Sequence, residues 1–255
     1  MAYLYETHLH TSQASACGKS LGRDFVMRYK DAGFTGIVIT DHFYRGNTAI
    51  DKSLPWKKWV ENFCKGYEDA REEGDRQGLD VFFGWEETFD GDDYLVYGLD
   101  KEWLLLHPEA VRWDRTQQFE DVKRYGGCVV QAHPFRQRDY MSRICLSPDC
   151  VDAVEIANAA NEQSFDALAY TYAQKIKLPV TAGSDKHKAD TIVSENLFGV
   201  YMDKKMESIN DYVNALCEDK KDSRRCNITG IKVPEGRFDL LGDEKLTLPV
   251  EVKQR

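Results

Sequence analysis

The chain has six histidines, and five of them stand where short apolar runs come to an end. His8 and His10 follow the first run, in Glu6-Thr7-His8-Leu9-His10-Thr11. His42 ends Ile37-Val38-Ile39-Thr40-Asp41, and His133 ends Cys128-Val129-Val130-Gln131-Ala132. Asp185 and His187 follow Val180-Thr181-Ala182-Gly183-Ser184, and Glu86 closes Val81-Phe82-Phe83-Gly84-Trp85. Imidazole and carboxylate are the ligands that Zn, Mn and Fe ions accept. Residues two apart on an extended chain point the same way, so His8 and His10 can reach one ion. A bound divalent ion polarises a substrate oxygen and brings the pKa of water from ~15.7 to near 7. The seven residues His8, His10, His42, Glu86, His133, Asp185 and His187 therefore point to metal-dependent hydrolysis, with no Ser, Cys or Thr nucleophile required. His107, before Pro108, ends no such run and is assigned no role.

These residues need a scaffold that brings strand ends together. Apolar, β-rich runs at Leu4–Thr7, Gly36–Thr40, Asp80–Glu86, Tyr94–Leu99, Gly127–Ala132, Ala153–Ile156, Pro179–Gly183 and Asn196–Tyr201 read as strands. Between them, Leu21–Ala32, Trp56–Gln77, Gln117–Tyr125, Ser164–Ile176 and Met206–Leu216 carry apolar residues at helical spacing. Alternation of this kind predicts an α/β fold with a parallel sheet and helical crossovers. In a β/α barrel the C-terminal strand ends share one mouth, where active sites lie. Residues 1–216 are expected to form this barrel. The remainder, 217–255, is charged and then turn-rich (Pro234-Glu235-Gly236, Leu241-Gly242-Asp243) and reads as a small β appendage or tail, not a separate domain.

Composition narrows the partners. The formal net charge is −9, which works against long duplex nucleic acid, since that needs a basic footprint. A small phosphorylated ligand held by a few local cations remains compatible with it. No run approaches the ~18 apolar residues of a membrane span, and the first residues lack the pattern of a signal peptide. Seven scattered cysteines with no C-x-x-C pair fit a reducing, cytoplasmic compartment better than a secreted disulfide scaffold.

Taken in order, H-x-H-T, Thr-Asp-His, Gly-x-Glu, Ala-His-Pro and Gly-Ser-Asp-x-His resemble the motifs of the polymerase and histidinol phosphatase (PHP) family, over about residues 5 to 190. Five motifs in register make a specific match. The resemblance implies a distorted, seven-stranded, TIM-like β/α barrel with two or three divalent metal ions (Zn, Mn or Fe) and phosphoester hydrolysis. It implies that His8, His10, Glu86 and Asp185 hold one metal. Glu86 would bridge to a second metal that His133 also binds, and His42 with His187 would hold a third. Fuller versions of the family carry a His or Asp ligand soon after the H-x-H, where this chain has Cys17. They carry a His on the strand after Gly-x-Glu, where this chain has Asp93 nearby. A Cys17 thiolate could complete a site with His42 and His187; the plainer reading, a small loop residue, is favoured because the chain uses cysteine freely elsewhere.

Around the motifs, Lys19, Arg45, Arg136, Arg138 and Lys186 supply local positive charge. Lys19, Arg45 and Arg136 are the expected phosphate-binding residues, arginine through its bidentate fork. Asp41 is a candidate to orient His42, and Asn158 faces the mouth, more simply read as a turn residue. The expected activity is hydrolysis of a small phosphorylated substrate, a phosphomonoester or a nucleotide or short oligonucleotide phosphodiester, by a metal-activated water. His133, His187 and Asp185 are the expected catalytic residues, with His133 or His187 as proton donor to the leaving oxygen. The competing readings are a metal-dependent amidohydrolase and a noncatalytic metal-binding module.

Overall fold

The computed structural model describes residues 2–217, 226–239 and 246–253. Its strands are β1 (Tyr3–Glu6), β2 (Gly36–Ile39), β3 (Asp80–Phe89), β4 (Asp92–Tyr97), β5 (Cys128–Gln131), β6 (Ile144–Leu146), β7 (Ala153–Asn158), β8 (Val180–Gly183), β9 (Gly199–Met202), β10 (Ile228–Lys232) and β11 (Val250–Val252). Its helices are α1 (Gly22–Asp31), α2 (Trp56–Phe63), α3 (Lys65–Gln77), α4 (Lys101–Leu106), α5 (Arg115–Arg124), α6 (Gln163–Ile176) and α7 (Ile209–Cys217). Among the described residues no helix is long and apolar enough to cross a membrane.

One sheet carries the order β10-β9-β1-β2-β3-β4-β5-β7-β8. β1, β2 and β3 pair in parallel, as do β5, β7 and β8. Their runs are apolar because a parallel strand is covered on both faces; all four residues of β2 are buried. Beyond the strands proper, the chain after β1 and the chain after β8 pair with each other. Leu9 bridges Lys186 in parallel, Asp185 N–H donates to the His8 carbonyl at 2.8 Å, and His10 N–H to the Lys186 carbonyl at 3.0 Å. The sheet thereby curls into a nearly closed, barrel-like form, with nine strands where seven were expected.

Not all of the strands are parallel. β4 runs antiparallel between β3 and β5, because only Asp90 and Gly91 separate it from β3. Both residues adopt positive φ (54° and 91°), the backbone of a two-residue hairpin turn, for which Asp-Gly is a preferred pair. A link that short can only reverse the chain. β9 is likewise antiparallel to β1. The stretch read as one helix over Trp56–Gln77 is two helices that meet at Cys64, whose ψ of −4° interrupts the helical path. Trp59 and Phe63 of α2 pack on Phe43, at 5.2 and 5.3 Å between ring centroids, and Phe43 in turn on Trp85 of β3. This aromatic layer holds α2 over the strand that carries Glu86.

The segment after α7 adds to the same body. β10 extends the sheet beside β9, and β11 pairs in parallel with β6. The Pro234-Glu235-Gly236 turn is present, with Gly236 at φ 74°; the Leu241-Gly242-Asp243 turn lies outside the described residues.

Candidate metal centre

All seven strand-end residues meet at one end of the sheet. The backbone pairing of Leu9 with Lys186 places His8-x-His10 beside Asp185-x-His187. A second parallel bridge sets His42 against Glu86, with Glu86 N–H donating to the Asp41 carbonyl at 3.1 Å and Phe43 N–H to the Glu86 carbonyl at 2.7 Å. Two of the residues sit in strained backbone, His133 at φ 29° and Asp185 at φ 52°, a cost that side chains other than glycine bear mainly where a site demands it. Gly183 is required for another reason. A Cβ there would lie 2.5 Å from the His8 Cβ and 2.8 Å from Glu155 Oε1, so only glycine lets β8 approach the His8 ring.

Glu86 is the hub. Its Oε1 lies 3.2 Å from both His8 Nε2 and His133 Nε2. Its Oε2 lies 3.3 Å from His10 Nε2 and 2.9 Å from His42 Nδ1. Asp185 Oδ1 stands 3.3 Å from His10 Nε2 and 3.7 Å from His8 Nε2, and the two Nε2 atoms are 3.1 Å apart. The donor atoms form three overlapping sets, His8/His10/Asp185, His8/Glu86/His133 and His10/His42/His187, each within 4.8 Å. Two ligands bound at ~2.1 Å to one ion, at angles near 90–109°, are about 3.0–3.4 Å apart. Most of the distances around His8, His10 and Glu86 fall in that interval.

The imidazoles are also locked in orientation. His8 Nδ1 faces Glu155 Oε1 at 3.0 Å, and a carboxylate only accepts, so Nδ1 carries the proton and Nε2 presents its lone pair. His187 Nδ1 faces the Asp185 carbonyl at 2.9 Å with the same result. For His10 the logic runs through Ser15. The Ser15 hydroxyl donates its one hydrogen to Asp41 Oδ1 at 2.6 Å, so it accepts from His10 Nδ1 at 3.2 Å. Such partners of ligating histidines fix the tautomer and raise ligand basicity. Replacing Glu155 by Leu is expected to weaken metal affinity ~10–100-fold, measured by titrating chelator-stripped protein with Mn²⁺. Undiminished affinity would mean that the His8 ring is held without Glu155.

The electrostatics of the metal-free cluster ask for a cation. Burial alone would neutralise Glu86, but the charges of His8 and His42 and hydrogen bonds from His133 and His42 hold it well below the ordinary carboxylate range. Asp185 is likewise held low against burial, by His8 and Arg136. Burial would lower His8, yet Glu155, Asp185 and Glu86 push it well above its ordinary value. His10 goes the other way, to about 3, through burial and the neighbouring His42. With no ion bound, a second proton on His8, at Nε2, answers the negative potential at the point where the donor atoms converge. Imidazole and carboxylate donors, pre-oriented and buried, fit a divalent ion.

Above the cluster opens a cleft of about 720 Å³, lined by His42, Glu86, His133, Asp185 and His187 among others. Arg45 and Arg138 are on its wall. Arg45 N–H and guanidinium both address Glu87, at 2.8 and 3.5 Å. Lys19 is exposed and does not line the cleft; its backbone N–H instead holds the His187 carbonyl at 2.7 Å. Lys186 is half-buried and also off the cleft. Arg136 lines the cleft but spends its fork inside the protein, with Nη1 on Asp185 Oδ2 at 2.8 Å, Nε on Asn161 Oδ1 at 2.6 Å and Nη2 on Asn158 Oδ1 at 2.8 Å. Asp41 does not address the His42 ring as expected; it accepts from Thr11 and Ser15 and so supports His10. Cys17 lies in the cleft wall with His187 and His42. Burial would raise its thiol, but those two imidazoles bring it down to about 6. Asp93 is 3.7 Å from His133 Nε2 and is pushed up to about 6 by burial and the charge of Glu86. His107 is remote, stacked on Trp103 with Nδ1 on the Trp103 carbonyl.

Sequence reasoning passed over Glu155, Ser15 and Arg237. A carboxylate inside the apolar run Ala153-Val154-Glu155-Ile156-Ala157 was the available signal for the first, since a buried Glu must be paired. Arg237, from the segment after α7, bonds Asp166 Oδ2 at 2.7 Å and the carbonyls of Asn158 and Asn161. Those asparagines hold Arg136, so the C-terminal segment buttresses Asp185 through one further layer.

No protein-family model matches the chain, and no curated protein matches it by sequence. Solved structures do match. One from Bifidobacterium adolescentis, named for an inferred metal-dependent phosphoesterase activity, aligns with a TM-score of 0.55 at 17% identity, over 85% of this chain and 97% of that one. A two-domain protein from Bacteroides vulgatus, containing a PHP-like metal-dependent phosphoesterase assigned by prediction, gives 0.57 at 16% identity, over 89% and 64%. PsfC from Pseudomonas syringae gives 0.58 at 14% identity, over 93% of each. At these identities the likeness speaks for the fold. The fold is that of the PHP-like proteins, the family whose five motifs this chain resembles.

Proposed function

We propose that the protein is a hydrolase that cleaves the phosphoester bond of a small phosphorylated substrate, with two or three divalent metal ions of the Zn, Mn or Fe type. The observation that carries this reading is the convergence of His8 Nε2, His10 Nε2, Glu86 and Asp185 within 3.1–3.7 Å, with the far side of both rings already hydrogen-bonded. His8, His10, Glu86 and Asp185 would hold one ion. Glu86 would bridge to a second with His133, and His42 and His187 would hold a third, with Cys17 as a further donor. The ions would supply Lewis acidity and a nucleophilic water at neutral pH.

The protein's own groups do the rest. Arg45 and Arg138 face the cleft and would take the phosphoryl oxygens, while Arg136 keeps Asp185 ionised and turned toward the histidines. An imidazole nitrogen that binds an ion carries no proton. With two ions, His187 Nε2 is free to take up a proton and pass it to the leaving oxygen; with three, that proton comes from elsewhere. We read residues 1–216 as the barrel, with β1 to β5, β7 and β8 as its seven staves closed through Leu9 and Lys186, and residues 217–255 as its appendage. No lysine lines the cleft among the described residues, which removes the group an amidohydrolase of the carboxylated-lysine kind would need.

Metal analysis of the purified protein, with phosphomonoesters and phosphodiesters assayed under Mn²⁺, Zn²⁺ and Fe²⁺, tests the reading. Chelator should abolish turnover and added ion restore it; full activity after exhaustive metal removal would sink the proposal. Cys17→Ser should lose one equivalent of metal if the thiolate is a ligand, and none otherwise. Replacing Arg45 by Ala should raise KM ~10–100-fold, the value of one or two charge-assisted hydrogen bonds. Lys19→Ala should leave KM unchanged, and the reverse pattern would return the phosphate site to Lys19.

A further inference from the structure

At the end of the sheet away from the cleft, a second group of reactive side chains comes together. Cys128 is the first residue of β5 and Cys217 the last of α7. Their sulfurs lie with an Asp152 oxygen within 4.8 Å of one another. All seven cysteines are free thiols. Cys128 is fully buried, and Cys217 is half-buried and so reachable from solvent. The Lys123 ammonium stands beside both, held by Asp152.

Two chemistries fit two thiols and a carboxylate: a metal ion or a disulfide. The carboxylate argues against the ion. Asp152 Oδ2 already accepts from Val129 N–H at 3.0 Å, and Oδ1 is bound by the Lys123 ammonium. Both oxygens are committed, and a cation placed there would meet the lysine charge.

We infer that Cys128 and Cys217 are a redox pair that forms a reversible disulfide tying α7 to β5, with a low-molecular-weight disulfide of the glutathione type as oxidant. Cys217, as thiolate, attacks one sulfur of the small disulfide. A Cys217 mixed disulfide forms, and the first small thiolate leaves and takes up a proton. Cys128 then gives up its proton and attacks Cys217 Sγ, displacing the second small thiolate, which is protonated in turn. The two protein thiols lose two electrons and two protons, and one small disulfide becomes two small thiols. The buried partner performs the second step because the half-buried one is met first.

The cross-link would close a loop of about 90 residues and is expected to raise the thermal midpoint by on the order of 5–10 °C. It lies at the start of β5, whereas His133 follows the end of β5, so metal content should not change.

The test uses the full chain, stripped of metal by chelator and equilibrated in mixtures of reduced and oxidised glutathione, then alkylated and mapped as peptides. A linked Cys128–Cys217 peptide should accumulate toward the oxidised end, disappear on reduction, and track the rise in midpoint. Cys128→Ala should trap glutathione on Cys217. If that variant does not fold, the wild-type map still decides. Separate alkylation of both thiols at the oxidised end, or a lasting mixed disulfide on wild-type Cys217, would overturn the inference. So would protection of both thiols by added Zn²⁺ in the reduced protein, which would make the group a metal site.

Discussion

Replacing Glu86 by Ala is expected to strip the protein of at least one equivalent of metal and to lower kcat/KM by ~10³-fold or more, since several kcal/mol of charge stabilisation go with the ion. The size follows from position. Glu86 offers Oε1 to His8 and His133 and Oε2 to His10 and His42, so its loss touches every donor set in which a bridging carboxylate would act. The fold should survive. The backbone bridge to His42 and the Phe43 hydrogen bond do not use the side chain, and Trp85 remains in its aromatic layer. Circular dichroism and plasma emission metal analysis on the same preparation separate the two effects. A variant with full metal content and undiminished turnover would remove Glu86 from the centre of the site.

The strand-end residues were legible because their chemistry restricts their type: few side chains ligate a divalent ion, and those that do stand out after apolar runs. The alternation of runs was legible for the same kind of reason, since strands covered on both faces must be apolar. What escaped depended on three dimensions. The reversal into β4 rested on two residues, Asp90 and Gly91, whose turn is short enough to be taken for a break between parallel strands. Ser15 and Arg136 act through partners 26 and 49 residues away, Asp41 and Asp185, and no local pattern marks such pairs. Lys19 and Arg136 illustrate the limit of charge near a motif. The first reaches the site only through its backbone, and the second points inward, because a buried carboxylate competes more strongly for a guanidinium than solvent does. The segment of β10 and β11 reads as a small β appendage or tail because it is charged and then turn-rich. Their pairing partners, β9 and β6, are what make them strands.

Arg136 gives the second large effect, and it discriminates between two roles. If its work is to pair with Asp185, Arg136→Leu leaves a buried carboxylate without its partner and should destabilise the metal-free protein by about 3–5 kcal/mol. Asn158 and Asn161 lose an anchor at the same time, so the loop after β7 should loosen. Arg136→Lys should recover only part of this, because an ammonium cannot reproduce three directed bonds from one planar fork. Metal affinity should fall with stability, since Asp185 Oδ1 is turned toward His8 and His10 by the bond that Oδ2 makes to the guanidinium. If Arg136 instead serves the substrate, denaturant unfolding of the metal-free variant should match wild type and the change should appear in KM alone. Urea titration of chelator-treated protein, beside Mn²⁺ titration and initial-rate kinetics, tells these apart. An unfolding midpoint unchanged in Arg136→Leu would return the residue to the phosphate-binding role that its place after Ala-His-Pro first suggests.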